Sequence, residues 1–127
     1  MNLNQVALPA LDVAALVAFH RGMGFAQIVD SPRYARFECP AGDATFSVHA
    51  VDNLTPADSG GVVYFECEAL DDRVRGLAQA GYRFSRQPTD ERWLWRQARL
   101  SDPSGTVPCL YRADANRRHL PWRMPAP

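Results

Sequence analysis

The chain has 127 residues and 14.2 kDa, the size of one domain of about 100–200 residues with a buried core of its own. Its 14 basic residues balance 14 acidic ones, so no global charge draws it to nucleic acid or to an anionic membrane surface. All 14 are arginine, which excludes Schiff-base lysines, lysine bases and the phosphate lysine of a P-loop, and leaves His, Cys, Tyr, Glu, Gln and Arg to build a site. The balance is uneven along the chain. Residues 1–60 carry three Arg against six acids, and residues 61–127 carry eleven against eight.

Cys39, Cys67 and Cys109 are too far apart for a CxxC motif, and their odd number is a poor disulfide framework, which points to a reducing cytoplasm. The N-terminus has no basic region leading into a long apolar stretch, and no apolar run nears the ~20 residues that span a bilayer. A cytoplasmic protein with no membrane partner is expected.

In chain order, Leu3 to Leu8 alternates as a short strand, with Pro9 ending its ladder pairing. Asp12 caps a helix over 13–21, where Val13, Leu16 and Val17 follow helical spacing and Gly22 and Gly24 supply the stop. His20 reads as a residue of that helix's surface. Strands follow at 25–29, 34–39 and 44–51, separated by turn residues. Residues 52–60, DNLTPADSG, form a linker. The same order then returns, with a strand over 61–67, a helix over 70–80 closed by Gly81, and strands over 82–85, 93–100 and 107–111. Arg21-Gly22-Met23-Gly24-Phe25 in the first half answers Ala78-Gln79-Ala80-Gly81-Tyr82 in the second.

The fold class predicted is α+β. One domain over 1–127 holds two tandem β-α-β-β-β modules, 1–51 and 61–111, with a tail over 112–127. Together they form a curved mixed sheet with a concave cleft.

The paired modules, the LPALDVAALVAFHRGMGF entry, the FECEALDDRVRGLAQAGYRF segment and the DPSGTVPCLY ending resemble the glyoxalase, bleomycin-resistance and extradiol-dioxygenase superfamily, the vicinal oxygen chelate fold. Members with a metal place one ligand on each of four strands. The resemblance carries those positions onto Gln5, Ser47, Val62 and Cys109. Val62 has no donor atom and Ser47 offers a neutral hydroxyl, so the usual divalent site is disfavoured and no cofactor is expected. A shifted set of His49, Glu66, Cys109 and Gln5 offers acceptable ligand types.

Period-two sorting separates an apolar side from one that collects Gln5, Ser47, His49, Tyr64, Glu66, Cys109 and Tyr111. Two Tyr, a His, a Cys and a Gln suit a lined pocket better than a solvated sheet face. Trp93 and Trp95, on one side of the seventh strand with Gln97 and Arg99, offer stacking surfaces and a guanidinium if they face inward, or a dimer interface if they face outward. His49 is the foremost chemical group, as acid, base or ligand-orienting donor. Glu66 is a base or a partner of a neighbouring group. Cys109 is either a nucleophile activated by His49 or a small buried hydrophobe. In the tail, Trp122 is the expected anchor over a pocket mouth or a partner subunit.

The function expected is binding of a planar or aromatic organic molecule without the usual metal, by a homodimer. The alternative is a lyase, isomerase or dioxygenase-type enzyme that uses a shifted metal or His49 with Glu66 as acid and base.

Overall fold

The computed structural model describes residues 1, 3–55 and 62–125. Residues 56–60 of the expected linker, and Gly61, lie outside the described residues. The chain divides into two compact units, Met1–Gly61 with Asp102–Thr106, and Val62–Ser101 with Val107–Pro127.

The first unit runs β1 (Gln5–Ala10), α1 (Val13–Gly22), β2 (Ala26–Ser31), β3 (Tyr34–Glu38) and β4 (Thr45–Ala50). Its sheet has the order β1-β4-β3-β2, with β1 parallel to β4 and the other neighbours antiparallel. The second unit repeats this plan with β5 (Tyr64–Glu66), α2 (Leu70–Gln79), β6 (Phe84–Asp90), β7 (Arg96–Leu100) and β8 (Cys109–Arg112), in the order β5-β8-β7-β6. Again the first strand is parallel to the last. Both units are therefore β-α-β-β-β, and the class is α+β as expected.

Two expectations about the strands need correcting. Pro9 does not end the pairing of β1 but sits within the ladder opposite His49. A residue without an N–H is tolerated there because β1 is an edge strand of its sheet. The strand expected from residue 93 starts only at Arg96, because Leu94 adopts φ 68 and breaks the alternation that Trp93 and Trp95 suggest.

Both helices end in the same way. Gly24 and Gly81 take φ 101 and 98, a region open to glycine at little cost, and each turns the chain into the next strand. The Phe25 amide donates to the His20 carbonyl at 3.2 Å, and the Tyr82 amide donates to the Leu77 carbonyl at 3.0 Å. The Gly24 and Gly81 amides donate to Arg21 and Ala78. At its start, α1 is capped by Asp12, whose carboxylate accepts from the Ala15 amide at 3.1 Å.

Each helix covers one face of its sheet. Val13, Leu16 and His20 of α1 are buried with Ala10, Ala35, Phe37, Phe46 and Val48, and α2 buries Leu70, Val74 and Leu77 on β6, β7 and β8. The large apolar side chains in this core contribute roughly 1.5–3 kcal/mol each.

His20 is thus a core residue, contrary to its surface reading. It lies seven positions after Val13, on the same face of α1. Its ring meets those of Phe19, Phe25 and Phe46 edge-on, and neither ring nitrogen has a hydrogen-bond partner among the described residues. Burial lowers its pKa from 6.5 to about 4. As pH falls, the unfolded chain takes up the proton first. The stability that rests on a neutral His20 is therefore complete above about pH 6.5, and on the order of 3 kcal/mol is withdrawn between 6.5 and about 4. His20→Leu, which removes two unpartnered polar atoms at similar volume, is expected to be at least as stable as the parent at pH 7 and to lose this acid-side decline. Denaturant melts of both proteins across that pH range check it.

Candidate functional site

In the first unit, β1, β3 and β4 bring Gln5, Tyr34, Arg36, Thr45, Ser47 and His49 onto the face opposite α1. Register places Arg36 beside Ser47 and Tyr34 beside His49. Gln5 and Ser47 are joined directly, the Gln5 Nε2 donating to Ser47 Oγ at 3.0 Å, while the Thr45 hydroxyl donates to Gln5 Oε1. Ser47 is buried. Arg36 donates to the Tyr34 phenolic oxygen from Nε at 3.0 Å and from Nη2 at 2.8 Å. The Ser47 hydroxyl, followed by the Arg36 guanidinium, holds the Tyr34 phenol below its usual pKa. His49 is half-buried and, among the described residues, makes no hydrogen bond or ion pair.

Tyr34 and Arg36 were not among the residues singled out by sequence. The signal was present, because Tyr34, Arg36 and Glu38 alternate along one strand. Their approach to Ser47, however, depends on the register of β3 against β4.

In the second unit, Tyr64 and Glu66 of β5, Cys109 and Tyr111 of β8, and Gln97 and Arg99 of β7 share one face by register. Trp95 stacks on Tyr111 with centroids 4.8 Å apart and rings tilted by 29°. Tyr64 meets both edge-on, at 5.9 Å from Trp95 and 5.7 Å from Tyr111. Although Trp95 precedes β7, it belongs to this set, and its indole N–H is satisfied by the Asn116 carbonyl at 3.0 Å. Trp93 reaches Gln97, its indole N–H donating to Gln97 Oε1 at 3.4 Å. Glu66 and Tyr64 are exposed. The tail's contribution to this site is therefore Asn116, within the short 3-10 turn Asp114–Arg117, whereas Trp122 stays 57 % exposed.

Cys109 is wholly buried and packs with Tyr111, Ala113 and Trp95. Burial pushes its thiol up to about 11. At neutral pH that group is protonated, which suits packing and not attack.

The donors at the four family positions do not make a divalent-metal set. Val62 has none, the Ser47 hydroxyl accepts from Gln5, and Cys109 is a buried thiol held protonated. Among the described residues, no three His, Cys, Asp or Glu side chains converge as metal-holding groups. No described helix is long and apolar enough to cross a membrane.

Comparison with known proteins agrees with this architecture. The family model described as Glyoxalase/Bleomycin resistance protein/Dioxygenase superfamily matches residues 2–109. A bleomycin-binding protein crystallised with bleomycin is 22 % identical, with 88 % of this chain and 98 % of that one covered and a TM-score of 0.72. The bleomycin resistance determinant encoded on transposon Tn5 is 21 % identical over 90 % of this chain and 99 % of that one, with a TM-score of 0.74. A family enzyme from Burkholderia phytofirmans PsJN gives 22 % identity over 89 % and 99 %, with a TM-score of 0.72. No curated protein matches the chain.

The burial of Cys109 makes a direct prediction. A thiol reagent added to the native protein is expected to modify the half-buried Cys39 and Cys67 first and to reach Cys109 only on unfolding. Mass spectrometry of the labelled peptides checks this order.

Proposed function

The chain belongs to the glyoxalase/bleomycin resistance protein/dioxygenase superfamily, and on that premise we propose that it is a small-molecule-binding protein that takes a planar or aromatic organic ligand. The observation that carries this reading is the stacked Trp95–Tyr111 pair with Tyr64 standing edge-on beside it. Flat π-surfaces held rigid by packing give a planar ligand contact area at little entropic cost, and Gln97 with Arg99 on the same face supply polar orientation. A similar structure is that of a bleomycin-binding protein with bleomycin bound, which supports a small organic ligand here.

In this reading the protein works without a resident divalent metal. The hydroxyl, valine and buried thiol at the family positions support that. It acts in the cytoplasm as a homodimer. The exposed Ile28 and Val29 on the edge strand β2 support pairing with a second copy.

Thermal melts against bleomycin and a panel of planar heteroaromatic compounds test the reading, since a ligand bound only by the folded state stabilises it by RT ln(1 + [L]/Kd). At least one compound is expected to raise Tm. Trp95→Ala is expected to lower its affinity by about tenfold or more, and Trp95→Phe to retain most of it. A panel without any stabilising member, or affinity untouched by Trp95→Ala, would falsify the reading. Protein purified without chelators is further expected to carry no stoichiometric iron, manganese, nickel or zinc by elemental analysis. A full complement of any of these would overturn the metal-free part.

A further inference from the structure

The first unit carries a polar constellation that starts from two of the family positions, Gln5 and Ser47, and includes Tyr34 and Arg36, which are not among them. Its hydrogen bonds run in one direction. Thr45 donates to Gln5 Oε1, which turns Gln5 Nε2 toward Ser47 Oγ as a donor at 3.0 Å. With Ser47 accepting from Gln5, its own proton is left to favour the ionised form of the Tyr34 phenol. From the other side Arg36 donates to that oxygen twice, at 3.0 and 2.8 Å, while its guanidinium carbon lies 5.6 Å from the centre of the Tyr34 ring.

The phenolic oxygen therefore accepts two N–H bonds from one cation. The group it has left to offer is its own O–H, and among the described residues no acceptor takes that proton. Tyr34 is partly exposed, so the proton is within reach of a molecule from solution. A phenol whose oxygen is drained of electron density by a guanidinium is a strong hydrogen-bond donor, and its lowered pKa expresses the same polarisation. Such a donor discriminates by charge. It gains little from a neutral ether and much from an oxygen carrying negative charge.

We propose that Tyr34, polarised by Arg36, is an oxyanion-binding donor that receives a phenolate, enolate or carboxylate oxygen of a small organic ligand. Tyr34 touches the ligand, whereas Arg36, Ser47 and Gln5 act through it as positioning residues. Arg36 suits this task because its planar fork delivers two parallel N–H bonds to one oxygen, which a lysine ammonium on a flexible stem does not reproduce. The inference stands on the first unit alone and does not depend on the aromatic face around Trp95.

The test uses 4-nitrophenolate, at a pH where it is ionised, against its neutral methyl ether, 4-nitroanisole. The intact protein is expected to bind the phenolate at least about tenfold more tightly than the ether. The bound phenolate is expected to show a blue-shifted absorbance, the signature of a strong donor localising charge on its oxygen. Tyr34→Phe is expected to abolish both the preference and the spectral shift. Arg36→Gln and Ser47→Ala, which leave the phenol in place, are expected to reduce both, and Trp95→Phe to leave the shift intact. Should Tyr34→Phe fail to fold, the graded loss in the other two variants decides. Failure of the phenolate to bind, equal binding of both probes, or a shift that survives Tyr34→Phe would overturn the proposal. A shift that survives in Trp95→Phe while the planar-ligand panel fails would separate this site from the broader reading.

Discussion

One helix of ten residues hides only one face of a four-stranded sheet, and in each unit this limit decides what the other face becomes. Beneath α1 and α2 the strands carry the alternate residues that pack, such as Phe37, Phe46 and Val48, or Ala98, Leu100 and Leu110. The side chains between them point away from the helix and have to be accommodated without it. The first unit does so with polar groups that satisfy one another from Thr45 to Arg36. The second does so with aromatic rings that pack on one another around Tyr111. Both candidate sites are thus products of the same strand period that builds the two cores.

The duplicated plan is conserved in its mechanics and not in its chemistry. The paired glycine stops at Gly24 and Gly81 make the same pair of amide-to-carbonyl bonds, and in both units the first strand lies parallel to the last. On that shared frame, the position of Ser47 beside Arg36 in one unit has its topological counterpart at Cys109 beside Arg99 in the other, each where β1 or β5 and the third strand flank the fourth. Val62 offers no donor atom and Ser47 a neutral hydroxyl, and the faces around them carry hydrogen-bond donors and π-surfaces.

Much of this was legible in the chain. Alternation alone separated Phe46 and Val48 from Ser47 and His49, and Leu110 from Cys109 and Tyr111, and the turn residues placed most of the elements. What was missed has physical causes. His20 occupies the buried face of α1 by position, but an imidazole without partners is rare in a core, so residue type outweighed spacing. Trp93 and Trp95 look like alternate residues of a strand, and only the backbone at Leu94, with its positive φ, takes them out of it. Tyr34 and Arg36 alternate plainly along β3. Their convergence with Ser47 and Gln5 depends on pairings between segments up to 42 residues apart, which no local pattern encodes.

The parallel pairing of β1 with β4 also carries an entropic cost. Gln5 pairs with Thr45, and the whole of α1, β2 and β3 lies between them, so this pairing closes the longest loop among the strands of the first unit. The hairpin of β2 with β3 and the addition of β4 form from near neighbours, while β1 closes the sheet across a long loop whose entropy has to be lost before its hydrogen bonds form. The polar chain that ends on Tyr34 therefore rests on the strand pairing that costs the first unit the most loop-closure entropy.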